Sequence, residues 1–266
     1  MLNERISQLQ KILKKMGRVA IAFSGGTDST FLLKIAVDTL GTENVLVLTA
    51  VNPLYVKEES ERARSIAKSF GVVWIPLEEN PLHHPNFIAN SADRCFFCKE
   101  MLFSAMKKEA EARGFFLLVD GSNADDLDDF RPGARAKEAA DVSSPLQEVS
   151  FTKEEIRSCS RRYAIPTWDL PSSSCLASRI PYGEEISLEK LQRIASAEAF
   201  LRKCGVQQVR VRDYGFWCRI EVDPKIFGKL LEKRIEIIEY GRMLGYDYVT
   251  LDLEGFSSGS MNRRKE

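Results

Sequence analysis

The sequence predicts an α/β protein, with a parallel sheet covered by helices on both faces followed by a smaller α+β domain. Three observations carry this. Apolar runs of strand length alternate with segments of helical period as far as Trp168; the alternation stops at the serine-rich stretch Pro171-Ser172-Ser173-Ser174; and the remainder reads helix, strand, strand, helix, strand. The expected division is residues 1–170 and 171–266. In order, Ile6, Leu9, Ile12, Leu13 and Met16 share one helical stripe, and Val19 to Phe23 is a short strand running straight into a Gly pair. Phe31, Leu32, Ile35, Ala36 and Leu40 mark a helix stopped by Gly41. The unbroken apolar run Val45 to Val51 predicts a strand buried on both faces. A helix from Lys57 to Phe70 ends at Gly71, and Val72 to Ile75 is the next strand. A helix to about Arg113 is expected after the Cys95/Cys98 segment, then a strand from Phe115 to Val119. Thr152-Lys-Glu-Glu155 is a capping box opening a helix through Ile156, Cys159 and Tyr163. The second domain should contain a helix from Leu188 to Lys203, strands from Gln208 to Arg212 and Trp217 to Val222, a helix from Pro224 to Leu244, and a strand from Tyr248 to Leu253. Arg263 to Glu266 is expected to fray.

Composition narrows the function classes. The 266 residues carry 38 Lys+Arg against 38 Asp+Glu, so no global basic field invites nucleic acid or an anionic membrane. No apolar stretch approaches the roughly 18 residues of a membrane span, and Met1-Leu2-Asn3-Glu4-Arg5 lacks an apolar signal core, which predicts a cytoplasmic address. Six cysteines at such an address need an explanation other than disulfides.

Ser24-Gly25-Gly26-Thr27-Asp28-Ser29, with Thr30 after it, lies between an apolar strand and a helix start. Glycines there let the backbone approach an anion, the helix N-terminus points its N–H groups at the charge, and Ser24, Ser29 and Thr30 add hydroxyls. Asp28 would sit poorly beside phosphate unless Mg²⁺ lay between them. No Gly-Lys-Ser/Thr follows, so this is not the loop that transfers a γ-phosphoryl group. A second polar segment, Asp120-Gly121-Ser122-Asn123-Ala124-Asp125-Asp126, follows another strand.

The loop resembles the SGGxDS signature of the PP-loop ATP pyrophosphatases. That resemblance implies a Rossmann-like nucleotide domain in which ATP is split to AMP and pyrophosphate. Ser24, Gly25, Gly26, Thr27, Asp28, Ser29 and Thr30 would then hold ATP with Gly121, Asn123 and Asp126, and residues 171–266 would bind substrate and form oligomers.

Cys95 and Cys98 form a lone CxxC, which by itself fits zinc, redox chemistry, an iron–sulfur site or chance. His83 and His84 stand near it, and Cys175 is the natural third thiolate. Three thiolates suit a [4Fe–4S] cluster with one iron open. Cys159, Cys204 and Cys218 fall on apolar stripes and are expected in the core.

Arg131-Pro-Gly133, Cys175 to Gly183 (CLASRIPYG), Val209-Arg210-Val211-Arg212 and Tyr248 to Asp252 with Gly255-Phe256 are similar to the LarE family of sulfur transferases. The resemblance implies that a carboxylate of a pyridinium dicarboxylate mononucleotide is adenylylated and then displaced by sulfur, from sulfide or another donor. Some members sacrifice a cysteine one position earlier, where this chain has Ser174; others carry three cysteines and a [4Fe–4S] cluster, the type favoured by Cys95, Cys98 and Cys175. It also implies catalytic roles for Asp28, Cys175 and Arg179, substrate contacts from Ser178, Arg179, Arg210 and Arg212, and a homo-oligomer without nucleic acid or membrane. Glu198 reads either as an acidic metal-site residue or as a solvated helix glutamate. Ser257 and Ser260 stand where related sequences carry arginine, which weakens a phosphate contact there. A tRNA thiolation enzyme, which shares the loop and the three cysteines, and a nucleotide-binding protein with a structural metal are the alternatives.

Overall fold

The computed structural model describes residues 2–127, 132–171, 173–257 and 259–262. Arg131, Ser172 and the 263–266 tail lie outside these. Along the chain run α1 (Leu2–Met16), β1 (Val19–Ala22), α2 (Thr27–Leu40), β2 (Val45–Ala50), α3 (Lys57–Ser69), β3 (Val73–Leu77), α4 (Pro85–Ile88), α5 (Arg94–Glu111), β4 (Leu118–Asp120), α6 (Pro132–Ala139), α7 (Pro145–Glu148) and α8 (Lys153–Arg162). There follow α9 (Leu188–Lys203), β5 (Val209–Asp213), β6 (Trp217–Val222), α10 (Phe227–Glu232), α11 (Arg234–Met243) and β7 (Tyr248–Leu251). The residues fall into two compact units, Met1–His84 with Ala92–Ser173, and Pro85–Ser91 with Ser174–Glu266. Among the described residues no helix is long and apolar enough to cross a membrane.

The first unit is the expected parallel α/β layer. Its sheet has the order β3-β2-β1-β4, every neighbouring pair parallel. Alternate side chains explain the double covering. Val19, Ile21, Val45 and Val47 share a cluster with Leu9, Leu13, Phe31, Leu32, Ile35 and Ile156. Ala20, Leu46, Leu48 and Leu118 point the other way, onto Phe103, Met106 and Ala110 of α5. Each such Leu, Ile or Phe contributes roughly 1.5–3 kcal/mol by leaving water. The chain lays β1, β2 and β3 outward and then returns to place β4 on the far side of β1. Order reverses there, and the crevice at the carboxyl ends of β1 and β4 is where such sheets receive ligands.

The second unit is the smaller α+β body, a sheet of order β5-β6-β7 with β5 and β6 antiparallel and β6 and β7 parallel. Val209, Val211, Cys218, Ile220 and Val222 pack with Leu201, Leu230, Ile237 and Tyr246. By the same alternation, Arg210 and Arg212 of β5 and Arg219 and Glu221 of β6 line the opposite face, with Arg210 across from Glu221 and Arg212 across from Arg219.

Two expectations are corrected. The helix expected over 224–244 is broken at Lys233 (φ −94°, ψ 13°) into α10 and α11; neither Gly nor Pro marks the break, so local sequence carries no signal for it. Cys204 is half-buried at the C-cap of α9, whereas Cys159 and Cys218 are core residues at 2% exposure. Cys95 and Cys98 are the second and fifth residues of α5, so the CxxC opens that helix, in keeping with the turn or first helical turn its spacing suggests.

Candidate functional site

In the first unit the site is built where β1 hands over to α2. Gly26 is the N-cap of α2 (φ −82°, ψ 175°) and donates its N–H to Ser24 Oγ at 3.3 Å; among the described residues no side chain accepts from the N–H groups of the first turn. The first-turn N–H groups and the positive end of the helix dipole are left for an anion. Gly25 has φ +67°, and a Cβ on it would stand 2.9 Å from Ala63 Cα. Gly121, at the end of β4, would bring a Cβ within 2.9 Å of Ser29 N. Both must be glycine for α3 and β4 to close on the loop. Ser24 Oγ and Ser29 Oγ are 3.1 Å apart. The hydroxyl of Thr30 is fully buried and donates to Gly26 O at 2.7 Å, so it braces the loop from inside rather than facing an anion. That of Thr27 donates to Thr167 O at 2.6 Å.

Asp28 accepts a 2.9 Å hydrogen bond from Asn123 Nδ2, joining the two polar segments across 95 residues. Asn123 is itself fully buried, capping the turn Ala124–Asp126 while Asp126 Oδ2 accepts from its backbone N–H at 3.1 Å. Burial pushes the Asp28 carboxyl above its ordinary range and Asp126 adds to the rise, outweighing the Asn123 hydrogen bond and the charges of Lys153 and Arg157. The loop therefore holds a buried carboxyl, raised above its ordinary range, beside the start of α2. Lys153 reaches Asp126 at 3.4 Å. On the other side, Arg62 of α3, which the sequence did not single out, donates from Nε to Gly25 O at 3.2 Å.

In the second unit a buried charge network surrounds the stretch that begins at Ser174. Arg179, 2% exposed, donates from Nη1 to Ser174 O (2.5 Å), Ser174 Oγ (2.9 Å), Cys175 O (2.8 Å) and Ser178 Oγ (3.0 Å). Its other edge meets Glu198, at 2.9 Å from Nε and 3.2 Å from Nη2. Arg179 thus fastens the turn that presents Cys175, a half-buried thiol at the start of the turn Leu176–Arg179. Glu198 is not a solvated helix glutamate: it is fully buried and also accepts from Arg202 Nη2 (3.1 Å) and Val211 N (3.1 Å). Burial alone would raise its carboxyl, but the charge and hydrogen bonds of Arg179 outweigh this and hold it below the usual range.

Arg212, 5% exposed, donates to Glu221 Oε2 at 2.6 Å, Ser260 Oγ at 3.0 Å and Ser178 O at 3.1 Å. Glu221 is fully buried and takes a second guanidinium, Arg219, at 2.9 Å. Ser260 thereby joins the arginine cluster directly, while Ser257 is half-buried. Arg210 lies over the Phe256 ring, 5.4 Å from its centroid. Burial, then the neighbouring charge of Arg179, lowers its guanidinium to about 10. Arg219 and Glu221 were legible in principle, since on β6 they alternate with Cys218, Ile220 and Val222 as Arg210 and Arg212 do on β5.

Cys95 and Cys98 are three apart on one helical turn of the first unit, Cys95 half-buried and Cys98 buried. His84 stacks on Phe97 with centroids 5.6 Å apart. Cys175 belongs to the second unit. Among the described residues no three His, Cys, Asp or Glu side chains are drawn together as a metal site.

No protein-family profile matches the chain. It is similar to an uncharacterised protein of Synechocystis sp., 41% identical over 265 residues, which are 99% of this chain and 98% of that one. It is 35% identical over 250 residues to the pyridinium-3,5-bisthiocarboxylic acid mononucleotide synthase of Lactiplantibacillus plantarum, 94% of this chain and 91% of that protein. A shorter likeness, 36% over 75 residues, connects 27% of the chain to 13% of the glutamine-dependent NAD(+) synthetase of Aquifex aeolicus.

Proposed function

The chain belongs to the LarE family, that of the pyridinium-3,5-bisthiocarboxylic acid mononucleotide synthase, and on that premise we propose that it is an ATP-dependent sulfur transferase of nickel-pincer cofactor synthesis. A carboxylate oxygen of a pyridinium dicarboxylate mononucleotide attacks the α-phosphorus of ATP and pyrophosphate leaves. A sulfur nucleophile then displaces AMP, and a thiocarboxylate remains. In this reading residues 1–170 bind the nucleotide and residues 171–266 the substrate.

The observation that carries the proposal is the uncapped α2 end with Asp28 tied to Asn123 beside it. Gly25, Gly26 and the first-turn N–H groups receive the leaving pyrophosphate, with Ser24 and Ser29 adding hydroxyls. The donor set also suits Mg²⁺: a divalent cation relieves a carboxyl that burial and Asp126 push up. Bound there, Mg²⁺ would supply charge neutralisation for the phosphates. Ser178, Arg210 and Arg212 are the substrate contacts of this reading, and Arg179 orients Cys175 through the turn it fastens.

Cys95, Cys98 and Cys175 are the three thiolates this reading assigns to the cluster type, and the CxxC spacing at the start of α5 would let Cys95 and Cys98 ligate one cluster. A [4Fe–4S] cluster would offer one iron with an open position for exogenous sulfide. The test is turnover with ATP, the pyridinium dicarboxylate mononucleotide and sulfide, on protein reconstituted anaerobically and on apoprotein. More than one thiolated product per chain, with iron bound, supports the reading. A single turnover with loss of mass at Cys175 would replace the catalytic cluster by sacrifice, and no pyrophosphate release under any condition would end the proposal.

A further inference from the structure

We infer that Arg62 is a pyrophosphate-side cation of the loop, anchored by one edge of its guanidinium and open to phosphate oxygens with the other; this deepens the ATP-splitting function proposed above and rests on it.

The electrostatic problem is plain in the loop itself. Ser24 to Thr30 contains no Lys or Arg, and its one charged residue is Asp28. Pyrophosphate leaves with several negative charges, and N–H groups with a helix dipole supply only partial positive charge. Lys153 and Arg157 are cations whose charge reaches Asp28. Lys153 Nζ is engaged by Asp126 at 3.4 Å, and Arg157 Nη2 donates to Leu170 O at 2.7 Å.

Arg62 is anchored on the loop itself. Its Nε donates to Gly25 O at 3.2 Å, so the guanidinium is held against the loop backbone. The approach is set by the neighbouring residue: Ala63 is fully buried and so close to Gly25 that a Cβ there would lie 2.9 Å from its Cα. Arg62 is half-buried, and among the described residues its two terminal nitrogens hold no carboxylate or carbonyl. A guanidinium fixed through Nε keeps Nη1 and Nη2 in a rigid plane, the edge that meets phosphate oxygens in pairs.

A strut that merely shapes the loop and a cation that meets pyrophosphate predict different losses. The experiment compares the full-length protein with Arg62→Gln and Arg62→Lys by calorimetric titration of inorganic pyrophosphate and of AMP, each with Mg²⁺, and checks folding by thermal unfolding. We expect Arg62→Gln to weaken pyrophosphate binding about ten- to a hundredfold, the worth of a charge-assisted hydrogen bond. AMP binding should change less than threefold, and Arg62→Lys should recover part of the pyrophosphate loss by restoring charge without the fork. Pyrophosphate and AMP weakening together in Arg62→Gln, with no recovery in Arg62→Lys, would make Arg62 a strut and overturn the inference. Unchanged pyrophosphate affinity in a folded Arg62→Gln protein would overturn it too. The function proposed above fails separately, when wild-type protein releases no pyrophosphate; wild-type protein that binds none overturns both.

Discussion

Removing the Glu198 carboxylate tests the central electrostatic claim about the second unit. In Glu198→Ala four hydrogen bonds are lost, two from Arg179 (2.9 and 3.2 Å), one from Arg202 (3.1 Å) and one from Val211 N (3.1 Å). Arg179, 2% exposed, becomes a buried cation without this counter-charge, and the Val211 N–H loses its acceptor. Breaking one side of a buried ion pair costs about 3–5 kcal/mol. An orphaned buried N–H adds about 1–3 kcal/mol, part of it overlapping. The expected loss of about 4–6 kcal/mol is a large part of the ~5–15 kcal/mol that holds a domain folded. Trp217 lies in the second unit and Trp74 and Trp168 in the first, so urea unfolding followed by Trp217 fluorescence in a Trp74→Phe/Trp168→Phe background reads the affected unit. Because the Glu198 carboxyl is held below its ordinary 4.5, its stabilisation is present above that value and lost as pH falls through the folded-state value. The gap between variant and parent should therefore close below about pH 4.5. A loss under about 1 kcal/mol at pH 7, or a gap that does not shrink in acid, would refute the buried-pair account.

Three further outcomes follow from the geometry. Gly121→Ala places a methyl 2.9 Å from Ser29 N, so the loop must shift; the KM for ATP should rise at least tenfold with a stability loss of about 1–3 kcal/mol, read by initial rates and thermal unfolding. Asp28→Asn keeps an acceptor for Asn123 but removes a carboxylate that burial disfavours. A raised carboxyl contributes stability at low pH that is lost as pH rises through its folded-state value, so at pH 7 the variant should unfold no earlier than the parent while pyrophosphate release falls about 10²–10³-fold. A less stable Asp28→Asn protein would contradict the upward shift of the Asp28 carboxyl. Thr152→Ala removes the capping box of α8, in which Thr152 Oγ1 accepts from Glu155 N at 3.3 Å, and should cost about 1 kcal/mol in a denaturant titration.

Much of the first unit was legible because its signals are local. Strand, glycine pair and helix start are consecutive in the chain, and the unbroken apolar runs of Val19 to Ala22 and Val45 to Ala50 announce a sheet covered on both sides. The helix Leu188–Lys203 and the strand Trp217–Val222 likewise appear at the residues their periodicity marks. Where a feature depended on a distant partner, the pattern was silent. Glu198 on α9 has the sequence context of any surface glutamate, and only the approach of Arg179 and β5 turns it inward. Thr30 reads as one more hydroxyl at an anion loop until the Gly26 carbonyl claims it. Arg62 lies in a helix rich in charge, and nothing local separates it from Arg64, which is exposed.

By itself, then, the sequence determined the α/β class, the glycine-rich turn at the β1–α2 junction and the CxxC that opens α5. Those rest on neighbours in the chain, where φ/ψ preference, glycine and periodicity act. Tertiary structure alone decided that Asn123 grips Asp28 across 95 residues, that Arg179 holds the Ser174–Ser178 turn while neutralising Glu198, and that Arg212 is matched by Glu221. The physical reason is common to all three. A buried charge or carboxyl is tolerated only with a partner in hydrogen-bond range, and which residue supplies it depends on how the sheet orders its strands, not on the residues beside it in the chain.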